Sequence, residues 1–525
     1  MKTAERYLDL ACKKIPVLKR AITEHGDCPL SDYLKNFVLK ARPSYQQQDD
    51  FLDVMQQYVT PLMGESAAWQ AVCDLGACPV ILTANHLGVE YFSQSLQSSL
   101  LFSLNSAAAN SSATTVPVFS FGNIPLNNLT YPRGVLLYHV MSAELNHMPV
   151  KLPIFPDRLK RQITGITDAF NHDMIQRAEA RLDKMVRDKQ ISHTLADTMR
   201  DIFQKDYCSD SVIYLPDYAH QSAVLNRRIW KRLFSEGISS PELIYFEIEK
   251  IVSLLLEYDL PNPKSLVRHV MFDPDIRERV IENLDGLSGC WTRKELAQRL
   301  NTESSVNIRR HSPKNHGTLF FWGVDDSGRK IPFSLESDKR NHLVLKGRDD
   351  RGKIWKLGFT PRALVQKLQE KQLIPSLFTC FLTLSFARGL ICIGGYFQGE
   401  YLPAMQRGVV TALQKTSDCH DIAHLVAQIP TDCYLSGMLG IMSRTDDNHL
   451  IPAGAAEIIA GGGISGEDIE QMLLLTVREA HIAGLFETLP DVIPRNSRET
   501  SWKKALAADC SKLLKEKIVV KKIEN

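Results

Sequence analysis

The chain has 525 residues, with 62 Lys and Arg against 60 Asp and Glu and a formal net charge of +2. At roughly 100–200 residues per domain, it is long enough for two or more domains and a core that needs no staples. The balanced charge supplies no global field for nucleic acid or an anionic membrane. The 11 cysteines are scattered and none forms a Cys-x-x-Cys pair, so buried free thiols are expected and no metal is assigned.

The start, Met1 to Arg6, is charged and leads into an amphipathic pattern without the apolar core of a secretory signal. The longest apolar run, Leu373 to Ile393, is interrupted by Pro375, Arg388 and Gly389, so no transmembrane segment is expected. These features predict a cytoplasmic protein.

Residues 1–75 read as an N-terminal helical cap. The first part of the core, 76–156, opens with a strand at 79–84, a helix from Val89 to about Leu104 and a strand at 116–121, which fit a βαβ unit. Gly134 to Val140 is a further strand candidate. Residues 157–205 are strongly helical and charged and predict inserted long helices, coiled-coil in character, through which the chain could form a homo-oligomer. In 206–310 a strand is predicted at 211–217, followed by helices at 218–235, 240–257 and 274–301. Residues 311–358 predict a β-meander of two hairpins around Asp325-Asp326-Ser327-Gly328 and Asp349-Asp350-Arg351-Gly352. Asp is favoured in turns for backbone hydrogen bonding, and that explains Asp325 and Asp326 better than a catalytic or metal pair does. His311, His316 and His342 lack metal-ligand spacing and read as surface residues. The second part of the core, 359–495, carries a helix from Pro361, an apolar strand at 389–395 that runs into glycines, and a helix at 400–413. Residues 496–525 read as a helix and a charged tail.

The strand at 79–84 stops at Asn85-His86, and ligands of open α/β sheets bind beyond the carboxyl ends of the strands. His86 is the candidate general base or substrate anchor, with Asn85 as its polar partner. The alternative is that both cap the following helix. That helix would turn its free N–H groups and positive dipole end toward an anion near His86. Asn123 and Arg133, in the loops after the second strand, are candidate substrate-binding residues, Arg133 offering a planar fork for carboxylate or phosphate. Turn chemistry alone also accounts for that loop. Gly394 and Gly395 allow close backbone approach, with Glu400 behind them for an amine or a ribose hydroxyl; a plain tight turn is the competing account. Gly461-Gly462-Gly463-Ile464-Ser465-Gly466 resembles a phosphate cradle, but Ser465 before Glu467 and Asp468 favours a helix start.

Phe359-Thr360-Pro361-Arg362-Ala363-Leu364, then Leu373-Ile374-Pro375, then Ile393-Gly394-Gly395 with Glu400 and Tyr401, together resemble the bacillithiol biosynthesis cysteine-adding enzyme family. In that family an F-S-P-N-x-x-x-R segment leads to L-L-P and a G-G-P-G-E-I-x-Y turn. Its V-T-G-Q-Q strand end parallels Val80 to His86, with Ala84-Asn85-His86 in place of G-Q-Q, and its P-V-F-W strand parallels Val116 to Phe119. The resemblance implies a Rossmann-like core with inserted long helices. A second resemblance links Ile81 to Tyr91 with the N-H-x-x-x-x-D box of glycerolipid acyltransferases, and Tyr131-Pro132-Arg133-Gly134 with their F-P-E-G block. In this chain Tyr91 stands at the acidic position and Glu90 comes one residue early.

The expected fold class is therefore α/β, a Rossmann-like parallel core with an N-terminal helical cap, long inserted helices and a β-hairpin segment. The leading expectation is a biosynthetic enzyme that joins an amine- or thiol-bearing small-molecule substrate to an electrophilic partner, ligase-like or transferase-like, with ATP a possible cofactor. The alternatives are an acyltransferase using the Asn-His box and a non-catalytic metabolite-binding or assembly protein.

Overall fold

The computed structural model describes residues 3–40, 49–109, 114–301 and 318–524. His311, His316 and the start of the segment predicted as a meander lie outside the described residues. The chain opens with helices α1 (Thr3–Lys14), α2 (Pro16–His25), α3 (Leu30–Lys40), α4 (Asp49–Met63) and α5 (Glu65–Ala77). Then come β1 (Val80–Leu82), α6 (Ser93–Ala109), β2 (Thr115–Ser120), β3 (Gly134–Leu137) and β4 (Val150–Pro153). Helices α7 (His172–Arg187), α8 (His193–Ile202), α9 (Asp210–Ile213) and α10 (Tyr218–Arg232) lead to β5 (Glu242–Glu247) and α11 (Ile248–Asp259). After β6 (Phe321–Val324), β7 (Lys330–Ser337), β8 (Leu343–Arg348), β9 (Ile354–Gly358) and β10 (Leu373–Pro375), the chain returns with β11 (Ile391–Gly395) and β12 (Tyr434–Ser436).

The central sheet is mixed-layer α/β in character: five parallel strands in the order β12-β11-β1-β2-β5. Chain order runs outward from β1 in both directions and reverses between β1 and β11, where Leu82 pairs with Ile393. Its strands alternate between two cores. Val80, Leu82, Val116, Val118, Leu243, Tyr245, Ile391 and Ile393 join one, and Ile81, Phe119, Ile244, Phe246 and Cys392 join the other. A parallel sheet covered on both faces needs apolar side chains at every position, hence the unbroken Val80-Ile81-Leu82 and Leu243-Ile244-Tyr245-Phe246 runs. The segment expected as a cap divides between these cores, residues from Ala4 to Leu34 on one side and from Phe51 to Leu75 on the other.

The two predicted hairpins form an antiparallel sheet of order β10-β6-β7-β8-β9, completed by Leu373-Ile374-Pro375. Three expectations need correction. Residues 211–217 contain the short helix α9, with Val212 and Ile213 buried and Tyr214 77% exposed, in place of a strand. The stretch 240–257 is split into β5, the edge strand of the core, and α11, because periodicity does not separate a strand buried on both faces from a buried helix. Finally, the candidate from Gly134 is a strand, β3, buried in the core, but it stays outside the central sheet and pairs antiparallel with β4. The inserted helices α7 and α8 are moderate in length, 16 and 10 residues. No helix among the described residues is long and apolar enough to cross a membrane.

Arg388, 2% exposed, ties the helical layer to the strand-loop core: it bonds Asp259 (2.9 Å), the Thr383 carbonyl (3.0 Å) and both carboxylate oxygens of Asp50. Removing one side of a buried ion pair strands the other, at a cost of about 3–5 kcal/mol. Arg388→Ala is expected to lower unfolding free energy by that amount in urea titration, and Arg388→Lys by less.

Candidate functional site

The carboxyl ends of β1, β2 and β5 bring His86, Gly122-Asn123 and Glu247-Glu249 together. The His86 backbone is held by Phe121, in a parallel bridge, and by the Tyr245 hydroxyl, which donates to the His86 carbonyl at 2.9 Å. Its Nδ1 lies 3.2 Å from the Thr130 hydroxyl. Burial pushes the imidazole down to about 4, a hydrogen bond to Asn128 opposes this, and the nearby Lys330 ammonium pushes it further down. His86 is therefore a neutral hydrogen-bonding group at neutral pH, a weaker base than an unperturbed imidazole.

Glu249, 1% exposed, accepts the N–H of Gly122 (2.7 Å), the N–H of Asn123 (3.2 Å) and the Asn123 side-chain amide (2.6 Å). Asn123 is thus a partner of this carboxylate. Burial raises Glu249 to about 7, against the pull of those amides and of Lys330. Glu247, half-buried at the end of β5, is held well above the carboxylate range by burial and then by repulsion from Glu249. Its carboxylate fits between two glycines: a Cβ at Gly122 would come within 2.7 Å of its Oε1, and one at Gly165 closer still. Repulsion between the two carboxylates disfavours the doubly ionised state, and Glu247, the more strongly raised, keeps its proton at neutral pH. Lys330, on β7 of the antiparallel sheet, completes the group. Its ammonium lies 4.3 Å from the Trp322 ring centroid, and burial draws it down to about 8 while Glu249 opposes the fall.

Asn85 points away from His86. Its amide donates to Glu90 (3.0 Å), which also accepts from Ser95 (2.7 Å), while the Glu90 N–H is taken by Asn226 (2.8 Å). Asn85 Oδ1 is buried without a partner beside a closed cavity of about 10 Å³. That space is about one water.

The other half of the crevice is closed by the chain itself. Gly394 and Gly395 end β11 next to β1, but the Gln398 side chain fills the approach to Gly394, accepting from Thr83 (3.0 Å) and donating to the Cys392 carbonyl (3.1 Å). Glu400 accepts the Val17 N–H at 2.5 Å and so caps α2. Arg133 bonds the Phe155 carbonyl (2.8 Å) and Asp157 (2.7 Å). The helix expected from Val89 starts at Ser93, and its first turn is taken by a side chain. Glu487 accepts the Ser93 hydroxyl (2.8 Å), a Gln94 backbone amide and the Tyr138 hydroxyl, which itself accepts the Ser93 N–H (3.0 Å). An internal carboxylate thus occupies the dipole end that was expected to meet an anion near His86.

The remaining motifs resolve as caps and turns. Ser465 and Asp468 form a capping box, and Gly461 ends the helix Ala455–Ala460. Asp325 accepts the N–H groups of Ser327 (2.8 Å) and Arg329 (2.9 Å) within its turn. Among the described residues, no group of three His, Cys, Asp or Glu is arranged to hold a metal ion. Glu247, Glu249 and Lys330 escaped the sequence reading. The first two carry the signal that singled out His86, polar residues ending an apolar strand, inside a stretch read as helix. No family model matches the chain, and neither a curated protein nor a solved structure matches it.

Glu90, Glu249 and Glu487 are all raised to about 7 by burial. Each binds its proton more tightly folded than unfolded, so the stability it contributes is complete below the unfolded value near 4.5 and is lost as pH rises through about 7. His86 and His481, lowered to about 4, and Lys330, lowered to about 8, work in the opposite direction with smaller effect between pH 6.5 and 7.5. Unfolding free energy is expected to fall by about 1–2 kcal/mol across that interval. Glu487→Gln should flatten the fall in a urea series at fixed salt; an unchanged slope would remove Glu487 from the account.

Proposed function

We propose that the protein is an enzyme of small-molecule metabolism that joins an amine- or thiol-bearing metabolite to an electrophilic partner, in a ligase-like or transferase-like step. The carrying observation is the Glu247–Glu249 pair beside Lys330 and His86, at the carboxyl ends of three parallel strands. Glu249, raised to about 7, lies close to the pH at which general acid–base work is best, and Glu247 holds a proton there. Glu247, the more exposed member and the one that holds its proton, gives it to the leaving group as the metabolite's lone pair forms the new bond, and the resulting carboxylate takes up the N–H or S–H proton. The leaving group departs with the bonding electrons, and the Lys330 ammonium offsets the negative charge that develops. His86 acts as a neutral hydrogen-bonding anchor in this reading, and Asn123 positions Glu249.

The strand order, reversing between β1 and β11, supports a Rossmann-like reading of the core. That reading and the ordered blocks from Phe359 to Tyr401 accord with a likeness to the bacillithiol cysteine-adding family, whose reaction class is the one proposed. The acyltransferase alternative has less support, because the carboxylate of Glu90 bonds Asn85 while His86 faces Thr130.

The test is incubation of the full chain with a cytosolic metabolite extract, with and without ATP and acyl-thioester donors, read by untargeted mass spectrometry. The wild type should form a product whose mass gain identifies the group joined, and Glu247→Gln should slow its formation about 10²–10⁴-fold. A product formed equally fast by Glu247→Gln, or no product under any condition, would overturn the assignment.

A further inference from the structure

Next to the Glu247 pair, an open groove of about 600 Å³ runs between the segment 158–166, the β6–β7 turn, Trp355 on β9 and the turn before β10. Its size is that of a metabolite site. Ile166, which follows the Gly165 that flanks Glu247, lines it, and so does Lys371, whose ammonium is close enough to Glu247 to bear on its charge.

Lys371 is the telling residue. It sits at φ 55°, in the left-handed region, just past the end of the helix Pro361–Gln369. Glycine is the usual residue there because any Cβ is strained. The Lys371 side chain lines the groove and lies 3.4 Å from Asp217, which also accepts from His220. Arg158, exposed, and Arg329, which lies 3.8 Å from Asp350, add two guanidinium groups. The acids of the same wall are engaged elsewhere: Asp325 with backbone N–H groups, Asp326 with Lys353 (3.1 Å) and Glu370 with Lys367 (2.6 Å). Trp355, its indole N–H tied to Asp349 (3.1 Å), supplies a flat apolar wall.

We propose that this groove binds an organic anion with a flat or apolar body, its phosphate or carboxylate held by Lys371, Arg158 and Arg329 and its body against Trp355. The anion is the electrophile-bearing partner of the reaction proposed above; that role rests on the enzyme reading, whereas the binding does not.

The experiment is calorimetric titration of the full chain at low salt with phenyl phosphate, benzoate and uncharged phenol. At least one anion should bind saturably and more tightly than phenol, and the better of the two assigns phosphate or carboxylate. Lys371→Gly should leave the melting temperature unchanged or higher, since it relieves the left-handed backbone, yet weaken the anion about five-fold or more, the loss of roughly one charged contact. Lys371→Asn, which also tolerates that conformation, should repeat the loss. Phenol binding as well as both anions, or both variants within five-fold of wild type, would overturn the groove assignment. Product formation by the wild type together with such a result would leave the enzyme reading standing and remove the groove alone.

Discussion

Burying a parallel sheet on both faces is the constraint on which the rest of this structure depends. The interiors of β1, β2 and β5 are apolar, and polar groups collect at the strand ends. There the backbone N–H groups of Gly122 and Asn123 are free to meet a carboxylate, and Glu249, two residues beyond β5, supplies it. The resulting polar group is partly buried, and its members compensate one another. Amides and Lys330 face Glu249, the Trp322 ring lies beside Lys330, and two glycines leave room for Glu247.

The two sides of the sheet's carboxyl end have different fates. On the β1–β2–β5 side the polar groups gather near Lys330 of the antiparallel sheet. On the β11 side the chain satisfies itself: Gln398 lies across Gly394, Glu400 caps α2 and Glu487 sits on the first turn of α6. A helix N-terminus attracts an anion wherever one can reach it, and an internal carboxylate reaches first. Substrate-sized space accordingly lies beside Glu247, between the antiparallel sheet and the segment that carries Gly165.

Much of this organisation was legible in the chain. The strands ending at Leu82, Ser120 and Gly395 announced themselves as apolar runs stopped by polar or glycine residues, and both hairpins by their Asp-Gly turns. Ser465 with Asp468 read correctly as a helix start. The same reasoning missed β5, because Leu243-Ile244-Tyr245-Phe246 continues into a true helix and a doubly buried strand has no period of its own. With β5 lost, Glu247 and Glu249 fell inside a predicted helix and were not singled out.

Local chemistry thus determined what a short stretch of chain decides by itself: which segments are strands, where turns fall, and that His86 and Asn123 lie at strand ends. Tertiary structure decided which polar residues act together. Lys330 comes near Glu249, 81 positions away in sequence, because β7 and the end of β5 join one core. Asn85, adjacent to His86 in sequence, turns to Glu90 instead, because successive side chains along an extended chain point to opposite sides. Residue spacing carries the period of a strand or a helix, whereas the proximity of charges separated by tens of residues follows from how whole layers pack.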